Sequence, residues 1–132
     1  MDNVSAAETF CQSNRVDNLY FGVGLRADDT NGGKDNLSHI PAVFCDVDYK
    51  DIPREIFIDR FKSFPFKPSI TVKSGGGVHL YWILKEPAEP SDIYAVENIN
   101  RRIAMALGGD LNACDASRIL RIPGTDNIKY VT

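Results

Sequence analysis

The segment Ile40-Pro41-Ala42-Val43-Phe44-Cys45 is a nearly continuous apolar run, and it ends in Asp46-Val47-Asp48. Side chains alternate along a strand, so a run that is apolar at successive positions must be covered on both faces. The sequence therefore predicts a central, buried strand over 40–49. It also places Asp46 and Asp48 on one face, where the strand leaves the core. Two like charges at a core edge are costly unless something positive sits between them. A metal ion, an arginine or water can fill that role.

The rest of the chain is organised around this strand. Residues 4–13 read as a helix. Asn18 to Ala27 reads as one strand, and Asp28 to Asn36 as a loop rich in Gly, Asp and Asn. Asp51 is the expected cap of a helix reaching about Phe61, with Pro53 in its first turn. Strands over 68–74 and 77–84 flank a glycine-rich turn. A helix over 92–107 follows, with Ser91 as its cap. Ile93, Val96, Ile103 and Leu107 form its apolar face, and Gly108-Gly109 stops it. The segment after Asn112 reads equally as a helical turn or a strand. The order α-β-β-α-β-β-α predicts an α+β fold, a mixed sheet with flanking helices. A length of 132 residues fits one domain, 1–132.

Several function classes are disfavoured. No apolar run is long enough to span a membrane, and the polar, acidic start is not a signal peptide. Three cysteines, odd in number and without a CxxC pair, argue against a zinc site and for the reducing cytoplasm. The net charge of −3 argues against a strong non-specific grip on nucleic acid. The charge is uneven, however. From Arg101 to Thr132 there are five basic and three acidic residues, a basic end beside an acidic centre.

Three constellations carry chemistry. Asp46 and Asp48 are hard oxygen donors suited to Mg2+ or Mn2+, or else solvated strand-end acids paired with a lysine such as Lys50. Ser74-Gly75-Gly76-Gly77-Val78-His79 places backbone N–H groups where phosphate oxygens can approach, with His79 in the next strand on the same face as Tyr81. It is neither a P-loop nor a dinucleotide fingerprint; the plain alternative is a hairpin turn followed by a satisfied histidine. Asp115-Ala116-Ser117-Arg118 puts an acid and a guanidinium three residues apart, with Arg121 and Lys129 beyond. Pro123-Gly124 would turn Asn127 and Lys129 back toward Arg118. The alternative there is a surface ion pair between Asp115 and Arg118. In this order the three sets form a kit for phosphoryl chemistry on a nucleotide.

These motifs resemble those of the archaeo-eukaryotic primase superfamily, in particular the primase-polymerase domains of phages, plasmids and other mobile elements. The resemblance runs from Tyr20-Phe21-Gly22 to Lys129. Its first motif is matched by "VFCDVD", its second by "SGGGVH", and its third by Asp115 leading into "RILRIPGTDNIK". Asp110 is a rival for the third acid. The resemblance implies a primase-like core with an RRM-like part, minimal or trimmed, since the chain stops just after the third motif.

It also implies template-directed nucleotidyl transfer with a two-metal site of Mg2+ or Mn2+ held by Asp46, Asp48 and Asp115. His79, Ser74 and Gly75 to Gly77 would contact the triphosphate. Arg118, Arg121 and Lys129 would meet phosphates or template, and Asn127 would organise the turn. The implied partners are nucleoside triphosphates, a single-stranded DNA template and a helicase domain or protein. The alternative is a non-catalytic module that binds nucleotide or single-stranded nucleic acid in a replication initiation protein.

Overall fold

The computed structural model describes residues 3–13 and 19–123. Its elements are α1 (Asn3–Ser13), β1 (Tyr20–Gly22), β2 (Leu25–Arg26), β3 (Leu37–Asp48), α2 (Arg54–Ser63), β4 (Ile70–Lys73), β5 (Gly77–Ala88), α3 (Ile93–Leu107) and β6 (Ile119–Arg121). The main sheet has the order β2-β3-β5-β4, and β1 pairs with β6 in a separate two-stranded ribbon. The fold is α+β as expected. Among the described residues every strand pairing is antiparallel, where a mixed sheet was expected.

β3 is the central strand, covered on both faces. Val43, Cys45 and Val47 join Val78 and Leu80 of β5 on one side, against Phe57 of α2 and Val96, Ile103 and Leu107 of α3. Ala42 and Phe44 join Tyr81 on the other side, against Val23 and Leu120 around the β1–β6 ribbon. Phe44 and Leu80 are fully buried, and each contributes about 1.5–3 kcal/mol by leaving water. A bulge between Ile40 and Ala42 shifts the register against β5 and sends Ile40 into the helix-side core with Val43. Pro41 sits at this irregularity, where its missing N–H costs the ladder nothing.

Four local expectations change. The predicted strand over 18–27 is two short strands in different sheets, because the chain bends at Val23-Gly24. Gly24 is pressed so closely between Leu37 and the Ala116 carbonyl that a Cβ there would lie 2.7 Å from the Leu37 side chain. Asp51 does not cap α2. It lies in a turn closed on the Asp48 carbonyl, and Pro53 occupies the cap position with no side-chain bond. Ser91 does not cap α3. It lies within a 3-10 turn, Pro90–Asp92, where Glu89 and Asp92 form a reciprocal capping box. Of the ambiguous last segment, Ile119–Arg121 forms the strand β6, and the residues after 123 lie outside the described residues.

The two glycines after α3 serve different ends. Gly108 takes the left-handed conformation, φ 81°, that closes the helix. A Cβ on Gly109 would lie 2.4 Å from the Cys45 sulfur and 3.1 Å from the Asp46 carbonyl, so this glycine lets the next loop lie against β3.

Candidate active site

The last two rungs of the β3–β5 ladder gather the first two motifs. Asp46 stands directly opposite His79, and Asp48 opposite Gly77. The register follows from the hairpin turn between β4 and β5. There the Ser74 N–H donates to the Gly77 carbonyl at 3.1 Å, and the Tyr49 N–H donates to the Gly76 carbonyl at 2.9 Å. Gly75 adopts φ 99°, which requires glycine. Gly77 packs on β3 so tightly that no side chain fits. Ser74, Gly75, Gly76 and Gly77 therefore sit against the strand end that carries Asp48.

Nε2 of His79 lies 3.3 Å from Oδ1 of Asp46, with the imidazole buried and the carboxylate 26% exposed. Its other nitrogen, Nδ1, is buried and has no hydrogen-bond partner. The Tyr81 hydroxyl, one rung deeper on this face, is buried in the same unpartnered way. Burial, and secondarily the nearby Asp46 charge, push that phenol well above the usual tyrosine range. Asp48 accepts the Lys50 N–H at 2.9 Å and lies 3.6 Å from its ammonium, the lysine pairing weighed above.

Behind this face, burial pushes the Cys45 thiol up to about 12, with Cys114, Asp46 and Asp110 adding to the effect. Cys45 stays a protonated core thiol at neutral pH. An apolar groove lined by Phe64, Phe66, Trp82 and Ile103 lies on the helix-covered side of the sheet and takes no part in this chemistry.

The third motif lies on a loop docked along the open edge of β3. The Asp110 N–H donates to the Asp46 carbonyl at 2.8 Å, while the Asp110 carboxylate accepts the Asn112 N–H at 2.8 Å. Asp115 is bound by Arg118, with Nη2 at 2.7 Å and Nε at 3.0 Å from Oδ1, and its Oδ2 accepts the Ser117 hydroxyl at 3.1 Å. Arg118 also donates to the Asn112 carbonyl. The Arg121 guanidinium lies 5.3 Å from the Tyr20 ring centroid, a cation–π contact across the β1–β6 ribbon. Asn127 and Lys129 lie outside the described residues, as does Gly124 of the expected turn at Pro123-Gly124.

The sequence motifs thus fall into two groups. Asp46, Asp48, His79 and the glycine turn are adjacent. Asp115, Arg118 and Ser117 form a second, internally neutralised group. Among the described residues, no three His, Cys, Asp or Glu side chains stand close enough to form a metal cluster. Asp46 and Asp48 are nonetheless suitable donors for a hard divalent cation. They are partly exposed carboxylates on one face, with an orphaned imidazole nitrogen beside them.

Sequence reasoning missed Glu97 and Asn100 of α3. Both are buried. Asn100 Oδ1 accepts the Phe44 N–H at 2.9 Å, and its Nδ2 donates to the Cys114 carbonyl at 3.1 Å. Glu97 Oε2 accepts the Ala116 N–H at 2.8 Å and pairs with the Lys34 ammonium at 2.8 Å. The available signal was an asparagine in the series 93, 96, 100, 103, 107, which is otherwise apolar. Arg26 was also unmarked, and donates to the Gly24, Gly32 and Ser117 carbonyls, each at 2.7 Å.

No family model matches the chain. A replication protein from Clostridium perfringens is 30% identical over 108 aligned positions, in a match that covers 74% of this chain and 26% of that protein. The chain thus spans about a quarter of that relative's length. Among solved structures, the AEP domain of the cyanophage S-2L primase-polymerase superposes with a TM-score of 0.61 at 21% identity. That match covers 98% of this chain and 64% of the phage domain. The chain is therefore similar in fold to that primase-polymerase domain.

Proposed function

We propose that the chain is a template-directed nucleotidyltransferase domain, a DNA primase or polymerase, acting in the replication of a mobile element in the cytoplasm. The carrying observation is the rung where Asp46 faces His79, one step from Asp48 and the glycine turn, on a primase-polymerase fold. The name of the Clostridium perfringens relative supports a place in replication. Among the described residues, no helix is long and apolar enough to cross a membrane.

Asp46 and Asp48 would hold Mg2+ or Mn2+, displacing the Lys50 ammonium from Asp48, and Asp115 would complete the set. A bound divalent ion supplies charge stabilisation to the phosphates. The chain's own groups do the rest. Asp46 orients the His79 ring through Nε2, and the turn from Ser74 to Gly77 brings backbone to the triphosphate. Arg118, Arg121, Asn127 and Lys129 supply cationic and polar contacts to phosphate and template. The 3′-hydroxyl of a primer or first nucleotide attacks the α-phosphate of the incoming nucleoside triphosphate, and pyrophosphate leaves. A helicase carried by a longer chain or a partner would open the template.

Labelled nucleotide incorporation on primed and unprimed single-stranded DNA tests this reading. Incorporation dictated by the template base is expected. A folded protein that incorporates nothing on either substrate, with Mg2+ or Mn2+, overturns it. His79→Ala is expected to weaken nucleotide binding about tenfold, roughly 1.4 kcal/mol, and template binding less than about twofold. Paired titrations against nucleotide and oligonucleotide check this, and an unchanged nucleotide affinity removes His79 from the site.

One observation favours a second reading, a module that binds nucleotide or single-stranded nucleic acid without catalysis. Asp115 is already neutralised by Arg118, and the acids do not converge among the described residues. Binding without incorporation is the result that would select it.

A further inference from the structure

The β1–β6 ribbon lies on the sheet face that carries Asp46 and His79. Val23 and Leu120 pack there with Phe44 and Tyr81, and the Phe21 ring stands 6.1 Å from the Tyr81 ring. Tyr81 follows His79 by two residues on β5, about 7 Å along the strand. Because Phe21 and Leu120 face the sheet, alternation turns Tyr20, Gly22, Ile119 and Arg121 to the outside. Tyr20 and Ile119 are accordingly 48% and 53% exposed. The Arg121 guanidinium lies over the Tyr20 ring, from the position directly across the ribbon.

A second guanidinium occupies the next outward rung, where Gly22 faces Ile119. A Cβ on Gly22 would collide with the guanidinium of Arg26, so that group lies over the glycine. Arg26 is held there by the carbonyls of Gly24, Gly32 and Ser117, each at 2.7 Å. These acceptors are neutral. Among the described residues no carboxylate pairs with Arg26, and none of the six ribbon residues is acidic. Asp28, in the loop that supplies the Gly32 carbonyl, is bonded to Thr30. The Arg26 charge is thus half-buried, fixed in place and uncompensated, a costly arrangement that a bound anion relieves. An exposed aromatic ring beside two guanidiniums has the chemistry of a single-strand platform: the ring stacks on a base, and the guanidiniums meet phosphates.

We infer that the outer face of the β1–β6 ribbon binds single-stranded DNA, with Tyr20 stacking on a base and Arg26 and Arg121 meeting the phosphates. A strand held there lies beside the rung where Asp46 faces His79. The inference rests on the proposed function for the choice of a DNA template as the partner. It needs no cation and none of the carboxylates.

The test measures fluorescence anisotropy of a labelled oligothymidylate, and of a duplex of equal length, in chelator over a series of salt concentrations. Tyr20→Ala is expected to weaken oligothymidylate binding about tenfold, with the salt slope and duplex binding unchanged, while Tyr20→Phe binds like wild type. Arg121→Ala and Arg26→Gln are each expected to weaken binding and to flatten the slope of log K against log salt by about 0.7, the share of one phosphate contact on a single strand. Arg26→Gln also disturbs the three carbonyl bonds; should it not fold, Tyr20→Ala and Arg121→Ala decide, since neither side chain belongs to the core.

Wild-type affinity in Tyr20→Ala overturns the inference. So does a loss of equal size on single strand and duplex, or a salt slope unchanged in the folded arginine variants, or a wild type that does not bind oligothymidylate at low salt. Nucleotide incorporation separates this from the functional reading. A chain that binds the strand through Tyr20 and incorporates nothing keeps the inference and removes the catalytic reading. A chain that incorporates normally, with DNA affinity unaltered by Tyr20→Ala, does the reverse.

Discussion

The double variant Asp46→Asn/Asp48→Asn is expected to fold normally and to lose metal-dependent nucleotide binding by at least about a hundredfold, the scale on which removing charged ligands acts. Both carboxylates are partly exposed, and neither supports the core. The changes preserve shape and remove two like charges from one face, so stability should hold or rise slightly. The Asp46–His79 contact survives as an amide–imidazole contact. What disappears is the pair of hard anionic donors. Calorimetry with a deoxynucleoside triphosphate and Mn2+ checks this, beside a thermal melt. A variant that melts like wild type and binds like wild type would move the cation site away from β3.

Gly77→Ala is expected to destabilise the domain by about 3 kcal/mol or more, the range of severe single substitutions, and to lower Tm by roughly 10 °C. A Cβ on Gly77 would lie 1.8 Å from the Val47 carbonyl oxygen and 3.0 Å from the Asp48 Cα. These are backbone atoms of the central strand, which cannot swing aside as a side chain can. The β3–β5 ladder must open at its last rungs, where Asp48 faces Gly77 and Asp46 faces His79. Stability and site geometry should therefore fail together. Gly76→Ala is the control. An added Cβ there meets open space at a backbone conformation without positive φ, so a melt close to wild type is expected. Equal melts for Gly77→Ala and wild type would mean that the turn is not packed on β3 in this way.

The elements that were legible in the sequence are those whose cause is local. A run apolar at successive positions can only be a strand covered twice, and β3 is that strand. Glycines between two apolar segments imply a hairpin. Alternation then puts Asp46, Asp48 and His79 on the face where they are found. What was not legible depends on distant partners. Leu25 and Arg26 leave the line of Tyr20–Gly22 because β2 pairs with β3 while β1 pairs with β6, about a hundred residues later in the chain. No spacing within 18–27 records that choice. Asp51 and Ser91 have the chemistry of caps, but a proline and a reciprocal Glu89–Asp92 pair take their places.

The candidate site divides along the same line. Asp46, His79 and the glycine turn were readable because one hairpin brings them together. The surroundings of Asp115 were not, because they depend on Glu97 and Asn100 reaching across from α3. In sequence those two look like ordinary polar positions of an amphipathic helix. Only the packing of α3 on β3 turns them inward.

In the proposed function, the acid face of β3 binds a nucleotide through a divalent cation. Titrating a deoxynucleoside triphosphate into the wild-type chain, with Mn2+ present and then chelated, tests it most directly. Saturable binding that depends on Mn2+ and is lost on chelation is expected. A folded chain that binds nucleotide equally well without the metal, or does not bind it at all, contradicts the claim.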